Sequence, residues 1–273
     1  MQVLVYNAFA QGDFSGNPAA VVPYRRGEAP PAALMQAIAE QHNLSETAFV
    51  ELDADDDGAR GLRWFTPAQE VRLCGHATLA TAAALHEAHG LGGAAGELSF
   101  RTRAGRLTCA LTDGTWSMDF PADEPQAAPA EVAEAVTRAA GVVPPAGRLF
   151  VGADDAMLVL GDAAAVRSFA QTAAVREIPK RGLIVTAAGD GDYDVVSRCF
   201  YPAYGIDEDA ATGSAHTLLG VYWARRLGRD RLRCLQASRR TGSLDVRYDG
   251  GTRIGVGGAA RAYLRGEIAV PTY

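Results

Sequence analysis

Two stretches of this chain read as copies of each other. Arg63-Trp64-Phe65-Thr66-Pro67-Ala68 and Arg198-Cys199-Phe200-Tyr201-Pro202-Ala203 agree at four of six positions. Each precedes a small-residue turn at the head of a helical pattern, Cys74-Gly75-His76-Ala77 in the first and Thr212-Gly213-Ser214-Ala215 in the second. The copies lie about half of the 273-residue chain apart, the spacing that duplication of an α/β unit leaves. Duplicated units tend to pack about a pseudo-two-fold axis. Equivalent loops are then expected to face each other across a cleft, where small-molecule sites form.

The rest of the chain fits two such units. Strands are expected at 2–8, 17–22, 47–52 and 62–66, with helices at 30–41 and 75–88 and a three-strand meander over 97–103, 106–112 and 115–120. A proline- and alanine-rich stretch, 121–129, reads as a linker. Beyond it, helices are expected at 131–140, 162–173 and 213–227 among strands at 148–152, 156–160, 182–187, 193–201, 231–236, 243–248 and 252–257. The N-terminal lobe is thus expected over 1–120 and the C-terminal lobe over 130–258. A last strand over 259–269 can cross back, so that 260–273 completes the first lobe.

Composition narrows the function. Apolar residues make up 48% and charged residues 21%, enough for sizeable cores in an ordinary globular protein. A net charge of −6 disfavours nucleic acid as a partner, because phosphate binding needs a basic face. No apolar run approaches the roughly 20 residues of a membrane span, so no membrane partner is expected. The N-terminus reads as a strand and not a signal peptide. Cys74, Cys109, Cys199 and Cys234 are widely spaced, the pattern of free thiols in a cytoplasmic protein.

The candidate site residues cluster at the repeated turns. Gly75 and Gly213 each open a predicted helix, whose first amide groups lack intrahelical partners and favour negative charge. Such ends can hold a substrate carboxylate, although a glycine also serves simply to permit a tight turn. Cys74 stands at a helix start, where a thiol is expected to ionise readily and to act as base or nucleophile. It is equally a small buried residue type. Its counterpart is Thr212, which argues against a symmetric pair of thiol bases. His76 can exchange protons near neutral pH, and its counterpart Ser214 can bond a substrate oxygen. Glu46 opens a strand, a position where a carboxylate is usually solvated. Asp209 precedes the second turn, either as charge complementation of a helix start or as a group that orients a proton carrier or a substrate amine.

Several tempting motifs fail. Asp53 to Gly58 begins like a calcium loop, but its twelfth position is Trp64. His86-Glu87-Ala88-His89 is one residue short of a zinc-protease helix. Gly255-Val256-Gly257-Gly258 is followed by no helical pattern. No metal ligand set and no cofactor loop is therefore expected.

Four segments together resemble the PhzF-like proteins, the phenazine-biosynthesis isomerases of the diaminopimelate-epimerase-like fold. They are Gly16-Asn17-Pro18-Ala19-Ala20-Val21-Val22, Asn43-Leu44-Ser45-Glu46-Thr47-Ala48-Phe49-Val50, Phe65-Thr66-Pro67 leading to Cys74-Gly75-His76-Ala77-Thr78, and Asp209 to His216. The resemblance implies an α+β protein of two similar, pseudo-two-fold-related lobes, each a curved β-sheet or barrel wrapped around a central helix. It implies an active site between the lobes without metal or organic cofactor, and a homodimer. By the same resemblance Glu46 is the proton-shuttling glutamate, His76 and Asp209 are the site histidine and aspartate, and Gly213 and Ser214 bind substrate. The type reaction isomerises trans-2,3-dihydro-3-hydroxyanthranilate by moving a proton between ring carbons. Cys74 ahead of Gly75 and Ala210 after Asp209 depart from the phenazine enzymes, so fold and site transfer while the substrate does not.

Three functions follow. The first is a cofactor-independent isomerase of a small carboxylate, with Glu46 as general acid and base, His76 and Asp209 assisting, and Gly75, Gly213, Ser214, Cys74 and Thr212 contacting substrate. The second is an amino- or hydroxy-acid racemase or epimerase that uses Cys74. The third is a non-catalytic binding protein on the same fold.

Overall fold

The structure, a computed structural model, describes residues 1–94, 96–141 and 143–269. The chain divides into two compact units, Met1–Asp119 with Gly257–Tyr273, and Phe120–Val256. The expected return over 260–273 is described as far as residue 269.

The first unit runs β1 (Gln2–Ala8), β2 (Asn17–Tyr24), α1 (Ala32–His42), β3 (Glu46–Glu51), β4 (Ala59–Phe65), β5 (Glu70–Val71), α2 (Gly75–His89), β6 (Glu97–Thr102), β7 (Gly105–Thr112) and β8 (Thr115–Pro121). β1 pairs antiparallel with β2, β2 parallel with β3, β3 antiparallel with β4, and β4 parallel with β6. β6, β7 and β8 form the expected meander.

Within this sheet α2 packs against β1, β2 and β3. Its residues from His76 to Leu85 are all buried, and most of them are alanine, threonine or leucine. A helix apolar all round has nowhere to sit but a core, and short side chains let the strands approach it closely. α1 covers the other side through Met35, Ile38 and Ala39, which join Val3, Val5, Ala20, Val22, Phe49 and Phe65 in one core.

The second unit runs β9 (Gln126–Ala127), α3 (Ala130–Ala140), β10 (Leu149–Val151), β11 (Ala156–Val159), α4 (Ala163–Ser168), β12 (Leu183–Ala188), β13 (Val195–Phe200), α5 (Ala215–Leu227), β14 (Arg231–Gln236), β15 (Gly242–Arg247) and β16 (Arg253–Gly258). The last strand, β17 (Ala260–Glu267), belongs to the first unit and pairs antiparallel with β1. β11 pairs parallel with β12, β12 antiparallel with β13, and β13 parallel with β14. α5 is the counterpart of α2, buried from Ala215 to Val221. A Cβ on Gly220 would stand 2.5 Å from Ile254 Cδ1 and 2.6 Å from Val246 Cγ1, so the glycine lets the side chains of β15 and β16 pack directly on the helix.

The repeated hexapeptide does the same work twice. Arg63 forks onto Glu70 with both bonds at 2.8 Å and lies 5.1 Å above the Phe65 ring. Arg198 donates to Glu208 at 2.6 Å and lies 5.0 Å above the Phe200 ring.

Three expectations are corrected. The helix expected at 162–173 is only α4, followed by a 3-10 turn at Ala173–Glu177. The Asp162 carboxylate caps it by accepting from the Ala165 amide at 2.8 Å, and the chain turns out at Phe169 so that this ring packs 5.6 Å from Phe200. The 121–129 stretch is not wholly linker, because β9 pairs with β10. The helix expected from 213 begins at Ala215, with Gly213 and Ser214 in the turn that leads into it.

Candidate active site

In the first unit three chain segments converge. Gly16 has φ +80, and a Cβ there would collide with the Ala8 carbonyl oxygen. Glycine therefore allows the turn that lays Asn17 down as the first residue of β2. Asn43 closes α1 in the left-handed conformation, its amide donating to the Ala39 carbonyl at 3.1 Å. A helix ended this way reverses within a residue or two, and Ser45 and Glu46 emerge at the start of β3, one strand over from Asn17. Cys74 is the N-cap of α2, and Gly75 and His76 form its first turn.

His76 is the hub. Its Nε2 lies 3.0 Å from Glu46 Oε2. Its Nδ1 lies 3.3 Å from Asn17 Nδ2 and 3.5 Å from Cys74 Sγ. Ser45 Oγ donates to Asn17 Oδ1 at 3.2 Å. With Asn17 Nδ2 toward Nδ1, the ring carries its proton on Nε2, the side of Glu46. A doubly protonated ring needs the Asn17 amide turned so that Oδ1 accepts from Nδ1–H.

The side chains of His76 and Glu46 are only 8% and 12% exposed. Burial opposes a charge on the His76 ring, but the neighbouring Cys74 and Glu46 outweigh it and hold the ring well above its ordinary range. Nε2 and Oε2 face each other at ion-pair distance, and neither atom has another hydrogen-bond partner among the described residues.

Of the two readings of Cys74, the structure bears out the small buried residue. Burial, and then the Glu46 carboxylate, push its thiol up, and this outweighs the His76 ring and the Ala77 amide that pull it down. The helix start does act as reasoned, but desolvation of the anion is the larger effect.

The second unit holds Asp209, Thr212, Gly213 and Ser214 in a cluster of its own. Thr212 Oγ1 donates to Asp209 Oδ2 at 2.6 Å, and the Ala210 amide donates to Oδ1 at 2.9 Å. Gln236, fully buried, clamps the turn by accepting from the Thr212 amide at 2.8 Å and donating to the Asp209 carbonyl at 2.9 Å.

Sequence reasoning missed Gln236, and it missed Arg181. The latter forks onto buried Asp155, with Nε 2.9 Å from Oδ1 and Nη2 against Oδ2. Arg181 also lies 5.0 Å above the Tyr201 ring and donates to Ser214 Oγ at 3.1 Å. Neither residue lies in a repeated motif. The available signal was Tyr201, which does. Asn17 and Ser45 were inside the motifs already quoted, but only the fold shows that they hold the His76 ring.

The chain is an α+β protein, and its curated relatives place it among the isomerases. An uncharacterized isomerase of Pseudomonas aeruginosa is 42% identical over 271 residues, which are 98% of each chain. A crystal structure of a phenazine biosynthesis protein of the PhzF family from Enterococcus faecalis superposes with a TM-score of 0.88 at 36% identity, over 98% of this chain and 99% of that one. A hydroxyproline epimerase from Agrobacterium vitis shares the fold alone, with a TM-score of 0.58 at 13% identity over 97% of this chain and 91% of that one. The family model for phenazine biosynthesis-like proteins matches residues 6–267, and the chain belongs to that family. Among the described residues no helix is long and apolar enough to cross a membrane.

Proposed function

We propose that the protein moves a proton between two carbons of a small carboxylate, with Glu46 as the carrier and no cofactor. One observation carries this reading: Glu46 Oε2 and His76 Nε2 lie 3.0 Å apart, buried, without hydrogen-bond partners of their own among the described residues. A carboxylate placed so can take a proton from an acidic carbon and return it elsewhere, which leaves the enzyme unchanged and the substrate isomerised. His76 orients the carboxylate and offsets its charge. The α2 start at Gly75 offers amide groups to the charge that builds on the substrate when the carbon loses its proton. Asp209, Gly213 and Ser214 bind and orient the substrate, Ser214 being held by Arg181. Trans-2,3-dihydro-3-hydroxyanthranilate is the first compound to try, because the family's type reaction uses it.

Proton NMR in D2O tests the reading. Turnover, or deuterium entry at carbon, in the wild type and its loss in Glu46→Gln are expected; full activity in the folded variant would remove Glu46 from the mechanism. If the anthranilate is inert, a screen of amino and hydroxy acids for deuterium exchange at carbon takes its place. The epimerase reading is disfavoured by the elevated Cys74 thiol.

A further inference from the structure

The two units correspond residue by residue where a strand delivers a side chain to the buried helix. Phe65 faces Thr47 across β4 and β3, and Phe200 faces Leu183 across β13 and β12. The repeated hexapeptides match Phe65 with Phe200, so Thr47 corresponds to Leu183, Glu46 to Gly182 and Ser45 to Arg181. The helix turns match His76 with Ser214. The first unit thus brings a carboxylate to its helix start, with Glu46 Oε2 3.0 Å from His76 Nε2. The second unit has no room for one: a Cβ on Gly182 would stand 2.3 Å from the Phe200 carbonyl oxygen and 2.3 Å from Tyr201 Cδ1. It brings a cation instead, one residue earlier in the strand, and Arg181 Nη2 donates to Ser214 Oγ at 3.1 Å.

Arg181 is held in a fixed direction. Its Nε donates to Asp155 Oδ1 at 2.9 Å, its Nη2 bonds Oδ2, and its guanidinium lies 5.0 Å above the Tyr201 ring. The Asp155 side chain is only 5% exposed, and a fork onto one buried carboxylate fixes the guanidinium plane. A guanidinium donates and never accepts. Ser214 Oγ therefore spends a lone pair on Arg181, and its own proton must point elsewhere. No acceptor for that proton is found among the described residues, and Ser214 is half-buried, within reach of a ligand.

We propose that Arg181, held by Asp155, is a positioning residue that fixes Ser214 as a hydrogen-bond donor, so that this position selects an anionic oxygen of the substrate over an amine. The selection of substrate rests on the role proposed above for Ser214; the polarity that Arg181 imposes on Ser214 does not.

A thiol at position 214 reports the guanidinium without any substrate. Ser214→Cys is alkylated with iodoacetamide across a pH series, and the peptide carrying residue 214 is followed by mass spectrometry. The native thiols are buried, and wild type gives their background. Adding Arg181→Met is expected to raise the alkylation midpoint by about 1–3 pH units, the usual effect of losing an adjacent opposite charge. Arg181→Lys is expected to restore part of that shift. A smaller movement in Arg181→Met would overturn the proposal. Should that variant melt early because Asp155 is left unpaired, Arg181→Met with Asp155→Asn removes both charges and repeats the comparison. In the D2O exchange assay, Arg181→Met is expected to raise KM by at least about tenfold, the worth of a hydrogen bond to a charged group, with a lesser change in kcat. It is expected to add nothing once Ser214→Ala is present, and additive losses in the double variant would overturn the proposal as well. The titration needs no turnover, so a failed isomerase assay leaves it decisive, and an unmoved midpoint leaves the reading of Glu46 intact.

Discussion

His216 donates from Nδ1 to the carbonyl of Thr212 across 2.8 Å. At the same place in the first repeat, Thr78 Oγ1 donates to the carbonyl of Cys74 across 2.5 Å. Both side chains tie the first turn of a buried helix to the residue ahead of the repeated glycine. The difference is that histidine titrates. Burial lowers the His216 ring to about 4, only partly opposed by its bond to Thr212, and its Nε2 has no hydrogen-bond partner among the described residues.

That places an acid sensitivity in α5. The unfolded ring binds a proton near its ordinary 6.5, whereas the folded one resists until about 4. Stability from this group is therefore complete above pH 6.5 and lost as pH falls toward 4, by about 3 kcal/mol. Urea unfolding across that window is expected to show a steeper loss in the wild type than in His216→Asn, and parallel curves would refute it. His76 acts in the opposite sense and in another window. Its folded value is raised, so its contribution is complete below pH 6.5 and is lost as pH rises through the folded value.

Glu46→Gln keeps the shape of the side chain and removes its base. Turnover is expected to fall by about 10²–10⁴, the usual worth of a positioned acid–base group. The urea midpoint should stay close to wild type. A loss of activity matched by a loss of fold would leave the assignment without support.

Cys74→Ser separates proton carriage by carboxylate from thiol chemistry. With Glu46 as the carrier, kcat is expected to fall less than about tenfold, within the worth of a lesser contact. A drop of about a thousandfold would instead make the thiol a base and revive the epimerase reading.

Gly16→Ala introduces a Cβ into the Ala8 carbonyl oxygen and holds alanine at φ +80. We expect a loss of roughly 1–3 kcal/mol, measured by chemical denaturation. Because Asn17 follows directly and holds the His76 ring, kcat should fall as well. A variant as stable and as active as wild type would show that the turn relaxes freely.

The sequence by itself determined the plan. The copied hexapeptides and glycine turns marked the two helices that become buried. Alternating apolar residues marked most strands, because a half-buried strand must alternate. The resemblance to the PhzF-like proteins rested on short contiguous motifs, and such motifs survive in a linear reading. Tertiary structure decided what depends on distance between remote residues. Asn17, Ser45, Cys74 and His76 come from three segments, and only the parallel pairing of β2 with β3 and the seating of α2 bring them into contact. Arg181 could not be read as the partner of Asp155 and Ser214, since nothing local specifies a long-range ion pair. Which of the two readings of Cys74 holds was decided for the same reason. A helix start is visible in the sequence, but the burial that outweighs it exists only once the chain has closed around the thiol.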